Sequence, residues 1–105
     1  MSEKIVRIGL LDSGVSFTSD IDIEENISCI PGDEEENILF DDTLGHGTGM
    51  AGIIGAKDNG KGIKGINPNA ELYSIKVLNE ENKTSLSCVV QGIYEAIEKK
   101  CDIIT

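Results

Sequence analysis

Short aliphatic runs separated by polar turns set the pattern of this chain. Residues 5–11 (IVRIGLL) form such a run and end in a turn signal, which predicts a buried strand of the kind found in parallel sheets. Residues 27–30 (ISCI), closed by Pro31 and Gly32, predict a shorter strand. Residues 72–78 (LYSIKVL) predict another strand, and residues 102–105 open a further one.

Two stretches carry helical spacing instead. Over residues 46–57, apolar side chains recur at helical intervals among four glycines, each of which costs a helix about 1 kcal/mol. Such a helix is expected only where it is buried and closely packed. A second helix, capped by Thr84 or Ser85, is predicted to run to about residue 100. Its apolar positions fall on one face, namely Leu86, Val89, Val90, Ile93 and Ile97.

The order of these elements predicts the fold class. Strand, helix, strand, helix, strand implies right-handed crossovers and an α/β fold with a parallel sheet. The length of 105 residues suits one small domain. Asp12 directly follows the first strand, at the sheet edge where open α/β folds place their chemistry.

Charge narrows the choice of partners. The formal net charge is -10, and ten of the 19 acidic residues lie between Asp20 and Asp42. This charge argues against nucleic acid or an anionic membrane as a partner, because phosphates would be repelled. We interpret the acidic stretch, including residues 33–36, as an exposed loop. A cation site or a preference for basic substrates remains the functional alternative.

The cysteines and the N-terminus bear on location. Cys29, Cys88 and Cys101 are odd in number and irregularly spaced, which argues against a disulfide framework, and no pattern suggests zinc. No signal peptide or apolar membrane span precedes the first strand. A cytoplasmic protein with free thiols is the simplest prediction.

Asp12 and His46 are the candidates for chemistry. A nucleophilic hydrolase needs a base to take the proton of its nucleophile and a carboxylate to hold that base in the right tautomer. His46 is the only histidine, and it begins the glycine-rich helix. Residues 47–52 also match GxGxxG, the dinucleotide-binding fingerprint. That motif should directly follow a buried strand, and here the polar segment 40–44 precedes it.

Several motifs together resemble the subtilisin-like serine peptidases (subtilases, peptidase family S8). The resemblance runs from residue 6 onward through LLDSG (10–14), GHGTGMAG (45–52), residues 62–68, residues 72–78 and CDII (101–104). It implies a three-layer α/β sandwich with a parallel sheet, truncated after the third main strand. Residues 1–105 would then be the N-terminal portion of one catalytic domain. Gly49 stands where the family pattern usually has a second histidine.

The resemblance also implies roles for single residues. Asp12 would orient the imidazole, and His46 would act as general base and then general acid in serine endopeptidase chemistry. Leu78 would line a pocket for a substrate side chain. The backbone offered to an extended peptide or protein substrate would be that of Asn82, Lys83 and Thr84.

A calcium site is a further implication. Asn59, with the carbonyls of residues 57, 61 and 63, falls on a loop that binds Ca²⁺ in many members of the family. Its carboxylate partner would be Asp20 or Asp22. An ordinary Asn-Gly turn is the favoured interpretation of this loop, and no cofactor is expected to be required.

The resembled family uses groups that these residues do not contain. Its oxyanion-hole Asn and its nucleophile, in a Gly-Thr-Ser motif, have no counterpart here. Ser13, Ser85 and Ser87 lack that context, and Ser13 is expected to be a turn residue. We therefore predict no peptidase activity from the isolated chain. The missing C-terminal part of the domain would be a partner.

Two other classes of function stay open. The chain could be a non-catalytic peptide-binding or complementing subunit, or a truncated product without independent activity. Retention of both Asp12 and His46 argues mildly against binding alone, since neither is needed for it. A sheet ending at residues 103–105 would expose a strand edge and leave helix faces half covered, which predicts marginal stability or oligomerisation.

Overall fold

Four parallel strands and two helices build the fold in a computed structural model that describes residues 4–33, 42–60, 62 and 64–105. In chain order the elements are β1 (Arg7–Asp12), β2 (Ile23–Ser28), α1 (His46–Gly55), β3 (Glu71–Lys76), α2 (Leu86–Glu98) and β4 (Ile103–Ile104). The sheet order is β2-β3-β1-β4, so β1 and β3 are its central strands. This order leaves β2 and β4 at the two edges of the described sheet.

The register aligns the ends of the two central strands. Arg7 lies opposite Glu71 and Asp12 lies opposite Lys76. The carboxyl end of β1 is therefore level with that of β3. Asp12, the last residue of β1, is buried at this edge.

The helices cover opposite faces of the sheet. Ile8, Leu10 and Leu72 form one cluster with Ala51 of α1. Ile75 and Val77 point to the other face and pack with Ala96 of α2. Because side chains alternate along a strand, both faces of β1 and β3 are covered, which is the three-layer α/β arrangement. The predicted fold class is confirmed.

The face of α2 that lies against the sheet is formed by small residues and is not the apolar face read from the sequence. The buried residues of this helix are Cys88, Gly92 and Ala96, at intervals of four. A Cβ at Gly92 would lie 2.8 Å from Val77, and a Cβ at Gly9 would lie 3.1 Å from Ala96, so bulk is excluded between helix and sheet. The predicted apolar face points largely away, and its exposed members are Leu86, Val90, Ile93 and Ile97.

Other boundaries also differ from the prediction. The short strand covers Ile23–Ser28 rather than residues 27–30, and α1 ends at Gly55, where Ala56 takes an extended conformation. Asp33 was expected in an exposed loop, but it is half-buried and pairs with the Lys76 ammonium at 3.0 Å. The rest of that acidic loop, residues 34–36, lies outside the described residues.

Candidate active site

Asp12 and His46 meet at the carboxyl edge of the sheet. Asp12 ends β1, and its Oδ1 accepts a hydrogen bond from the Ser13 backbone N–H at 2.7 Å. His46 begins α1, and its Nδ1 lies 2.8 Å and 2.9 Å from the two carboxylate oxygens of Asp12. The carboxylate is buried, whereas the imidazole is 65% exposed. One ring nitrogen is therefore held by protein while the ring itself stays accessible.

This contact sets the tautomer and basicity of the ring. A carboxylate on Nδ1 favours a proton there, which leaves the Nε2 lone pair available when the imidazole is neutral. The hydrogen bond that His46 donates to Asp12 and the negative charge of that carboxylate, with a further contribution from the charge of Asp42, raise the pKa of His46 above its ordinary value. The arrangement can accept and return a proton at Nε2.

Glycine lets the start of α1 lie directly against the loop after β1. A Cβ at Gly47 would lie only 2.1 Å from the carbonyl oxygen of Gly14, so no other residue fits without moving backbone. Gly45, at the N-cap, has a φ of 79°, in the left-handed region that favours glycine. At Gly49, by contrast, a Cβ would meet open space. The glycines before and after His46 therefore bring it to Asp12, and Gly49 is not needed for that approach.

Asp42 is a member of this site that the sequence did not single out. Its buried carboxylate accepts hydrogen bonds from the Ser13 hydroxyl, the Gly45 N–H, and both the N–H and the hydroxyl of Thr48. Burial alone would raise the pKa of Asp42, but these hydrogen bonds outweigh it and lower the pKa. A usable signal existed, since the N-cap glycine has no side chain to cap the helix and a nearby upstream acidic residue can do so instead.

None of the three candidate serines is placed as a nucleophile. Ser13, expected as a turn residue, is buried between Asp42 and the Gly47 N–H. Ser85 accepts a hydrogen bond from the Cys88 N–H and so caps α2, and Ser87 lies 3.0 Å from it. In the described part of the chain, no hydrogen bond joins His46 to a serine.

The predicted substrate residues fall into two groups. Leu78 and Asn82 border a cavity of about 330 Å³ together with Leu44 and His46. Lys83 and Thr84 instead line a neighbouring cavity of about 270 Å³, beside the start of α2. Asn79 closes the turn that contains Asn82 and Lys83. Its side-chain oxygen accepts hydrogen bonds from the N–H groups of Glu81 and Lys83. Leu44, which the sequence did not indicate, lies beside His46.

The predicted calcium residues are brought together in part. The side-chain amide of Asn59 donates to Asp20 Oδ1 at 2.7 Å, and the Lys57 N–H donates to the Asp20 carbonyl. Asp20 is therefore the carboxylate that faces Asn59, whereas Asp22 pairs with the Lys57 ammonium at 3.1 Å. Residues 61 and 63 lie outside the described residues. Over the ranges that are described, no group of three or more His, Cys, Asp or Glu side chains is poised to hold a metal.

The start of α1 does not suit a dinucleotide phosphate. The N–H groups of Gly47 and Thr48, which would bind a phosphate, already donate to Ser13 and to the Asp42 carboxylate. That carboxylate puts a negative charge where the phosphate would sit. Among the described helices, neither α1 nor α2 is long and apolar enough to cross a membrane.

Comparison with known proteins points to one family. The model of the Subtilase family, peptidase S8, matches residues 3–105. The Minor extracellular protease Epr of Bacillus subtilis (strain 168) is 38% identical over 104 residues, covering 99% of this chain and 16% of that protein. The Intracellular serine protease of Paenibacillus polymyxa is 38% identical over 104 residues, covering 95% of the chain and 32% of the relative.

A third relative extends the range of identity. The Alkaline elastase YaB of Bacillus sp. (strain YaB) is 42% identical over 91 residues, covering 87% of this chain and 23% of that protein. The chain thus spans between 16% and 32% of the length of these three relatives. The matched segment is the one that carries Asp12 and His46.

Proposed function

The chain belongs to the subtilase family, and we propose on that basis that residues 1–105 are the N-terminal portion of one serine endopeptidase catalytic domain. The observation that carries the proposal is the 2.8 Å contact between His46 Nδ1 and the buried carboxylate of Asp12. A carboxylate and an imidazole in this relation are the two members of a triad that activate a hydroxyl nucleophile. The substrate would be a peptide or a protein.

In the proposed reaction, Asp12 holds the imidazole with its proton on Nδ1. His46 Nε2 takes the proton from a serine hydroxyl as that oxygen attacks the scissile carbonyl, and then gives it to the leaving amine to form the acyl-enzyme. Water, deprotonated by the same nitrogen, releases the acyl group. The serine and the side-chain oxyanion donor would come from outside these 105 residues.

Leu44, Leu78 and Asn82 would contact the substrate next to His46, because they border the cavity beside the ring. Residues 82–84 are exposed, but the N–H groups of Asn82 and Lys83 and the Lys83 carbonyl already bond to Asn79 within the turn. An extended peptide would pair as an added strand with the remaining backbone groups of this segment. Lys83 and Thr84 would contact residues of the substrate farther from the scissile bond, since their cavity adjoins the first turn of α2.

A chimera tests the proposal. Residues 3–105 would replace the matching segment of the Paenibacillus polymyxa protease, and cleavage of a fluorogenic peptide would be measured. We expect activity that a serine-directed covalent inhibitor abolishes. His46→Ala should lower turnover by about 10⁶ and Asp12→Asn by about 10⁴, the scale known for triad members. Asp22→Asn, which changes an exposed carboxylate, should leave turnover unchanged.

A folded chimera that cleaves equally well with His46→Ala would contradict the proposed roles. The isolated 105-residue chain, given the same peptide, should show no turnover, because it would lack a nucleophile. Turnover by the isolated chain that disappears in His46→Ala would show that the nucleophile lies within these residues.

We also propose that Asp20 and Asn59 would hold Ca²⁺, with carbonyl groups of the following loop completing the shell. Their side chains already lie 2.7 Å apart, and rotation of the Asn59 amide would present its oxygen, a donor that calcium prefers. The ion would tie the segment after β1 to the segment after α1. Added Ca²⁺ should raise the melting temperature of the wild type and of Asp22→Asn but not of Asp20→Asn.

A cytoplasmic location is proposed from the thiols. Cys29, Cys88 and Cys101 are all free, and burial is the main cause that raises the pKa values of the Cys29 and Cys101 thiols. Free thiols are typical of a reducing compartment. Fractionation of cells producing the natural protein, with the protein found outside the cytoplasm, would refute this proposal.

A further inference from the structure

Two side chains from outside α1 cap its first turn. The N–H groups at the start of a helix lack partners within the helix, and here the N-cap residue Gly45 has no side chain to supply one. The Gly47 N–H donates instead to Ser13 Oγ at 3.0 Å, and the Thr48 N–H donates to Asp42 Oδ2 at 2.8 Å. The start of the helix is therefore fixed by Asp42, shortly before it in the chain, and by Ser13, which is remote from it in sequence.

These capping groups are also bonded to one another. The Ser13 hydroxyl donates to Asp42 Oδ1 at 2.7 Å, and the Thr48 hydroxyl donates to Asp42 Oδ2 at 2.6 Å. Ser16 closes the network, since its N–H donates to Thr48 Oγ1 and its hydroxyl accepts from the Asp42 N–H. We call Ser13, Ser16, Asp42 and Thr48 the clamp. Three separate segments of the chain meet in it.

We propose that Asp42 is a positioning residue, which through the clamp holds the His46 imidazole against Asp12. This inference rests on the proposed function, in which the pair of Asp12 and His46 does the chemistry. Asp42 makes no hydrogen bond to the imidazole itself, so the positioning acts through the backbone, apart from the effect of its charge on the ring. Its acceptor oxygens take up the N–H of Gly45, one residue before His46, and that of Thr48, two residues after it.

The clamp is needed because the imidazole has little packing of its own. The ring is 65% exposed, and its described hydrogen bonds are the two contacts to Asp12. An exposed side chain on an unrestrained backbone would gain rotamer entropy by leaving the carboxylate. Ser13 immediately follows Asp12, so the clamp joins the backbone of one partner directly to the backbone of the other.

The tautomer of the neutral imidazole is the readout that distinguishes positioning from simple stability. His46 is the only histidine, so its ring nitrogens give an unambiguous nitrogen NMR signal in the intact chain. Contact with Asp12 favours the Nδ1–H form, and release favours Nε2–H. The pKa of His46 would be followed in parallel. The titratable groups that act on the ring are Asp12, at the end of β1, and Asp42, in the segment before α1.

A matched pair of variants at Thr48 tests the hydrogen bonds of the clamp without changing its charge. Thr48→Val keeps the shape of the side chain but removes the hydroxyl, whereas Thr48→Ser keeps the hydroxyl. We expect Thr48→Val and Asp42→Asn to lower the ratio of Nδ1–H to Nε2–H by about fivefold, the change expected for one lost net hydrogen bond. Thr48→Ser, and Thr43→Ala at an exposed neighbouring position, should match the wild type.

Each outcome decides between the two proposals. Asp12→Ala, which leaves no side-chain partner for Nδ1, identifies the signature of the released ring. A wild type that already shows this signature refutes the pairing of Asp12 with His46, and with it the proposed function. A wild type in the Nδ1–H form that keeps its ratio in folded Thr48→Val and Asp42→Asn refutes the clamp alone. If Asp42→Asn fails to fold, Thr48→Val against Thr48→Ser makes the same decision.

Discussion

Gly47 has only a hydrogen atom where other residues have a side chain, and this allows the start of α1 to lie against the loop after β1. A Cβ there would lie 2.1 Å from the Gly14 carbonyl oxygen, a distance that forces the helix start or the loop to move. Gly47→Ala should therefore destabilise the fold by at least about 1–3 kcal/mol and weaken the contact between His46 and Asp12. Urea denaturation, with the His46 ring signals, measures both effects.

Gly49 supplies the matched control for that substitution. Its Cβ would meet nothing within 4 Å, so Gly49→Ala adds a better helix former without a clash. It should stabilise the protein by up to about 1 kcal/mol and leave the ring signals unchanged. Equal effects of the two substitutions would show that helix propensity, rather than close backbone approach, explains the glycines.

The pH dependence of stability should reflect the contact between Asp12 and His46. The pKa of His46 is raised in the folded state, mainly by its hydrogen bond to Asp12 and by the charge of that carboxylate. A histidine whose pKa is raised by folding contributes its full stabilisation at pH values below the pKa of the unfolded chain, about 6.5. This contribution is lost as the pH rises through the higher pKa of the folded state. The stability difference between wild type and His46→Gln should thus be larger at pH 5.5 than at pH 9.

Chemical denaturation of both proteins at the two pH values provides the measurement. A stability difference that does not change with pH would mean that the imidazole titrates as it does in the unfolded chain. The Asp12–His46 contact would then have no energetic basis, whatever the distance between the atoms.

Sequence reasoning reached Asp12 and His46 because each sits in a local motif that can be read without the fold. Asp42 was not singled out because an aspartate in an acidic stretch resembles an ordinary solvated residue, and because its partner Ser13 lies on a separate segment. Ser13 does lie in the bend directly after β1, but its bonds to Asp42 and Gly47 could not be read from the sequence. Residues whose partners are distant in sequence leave no local pattern for such reasoning to detect.

At the scale of elements, α2 has a defined start. The sequence left Thr84 and Ser85 as alternative caps, and the structure assigns the role to Ser85, whose hydroxyl accepts from the Cys88 N–H. Ser85→Ala should cost about 1 kcal/mol, whereas Thr84→Ala should cost much less, because its hydroxyl donates only to the Ser85 carbonyl. Thermal melts of the two variants test this, and equal losses would contradict the assignment.

The orientation of α2 was beyond prediction from periodicity alone. A hydrophobic stripe normally identifies the buried face of a helix. Here Gly92 and Ala96 lie against Val77 and Gly9, respectively, at distances that exclude larger side chains, so close approach to the sheet decides the orientation. The strands were easier to predict, because β1 and β3 are buried on both faces and most of their inward positions are apolar.

At the scale of the whole molecule, the outward face of α2 should drive self-association of the 105-residue chain. Leu86, Val90 and Ile97 repeat at intervals that place them on one side of the helix, and their exposed fractions are 81%, 41% and 59%. A row of exposed apolar side chains favours association, whereas single exposed ones are ordinary. We expect sedimentation to show a mass that rises with concentration.

The double variant Leu86→Glu with Ile97→Glu should shift that association to higher concentration, because it places a charge at each end of the apolar row. Ile66→Glu is the matched control, since Ile66 is 86% exposed but lies in the segment before β3, away from this helix. If the wild type stays monomeric at every concentration, the exposed apolar row does not drive association. If Ile66→Glu disperses the chain as well as the double variant does, net charge rather than the face of α2 controls association.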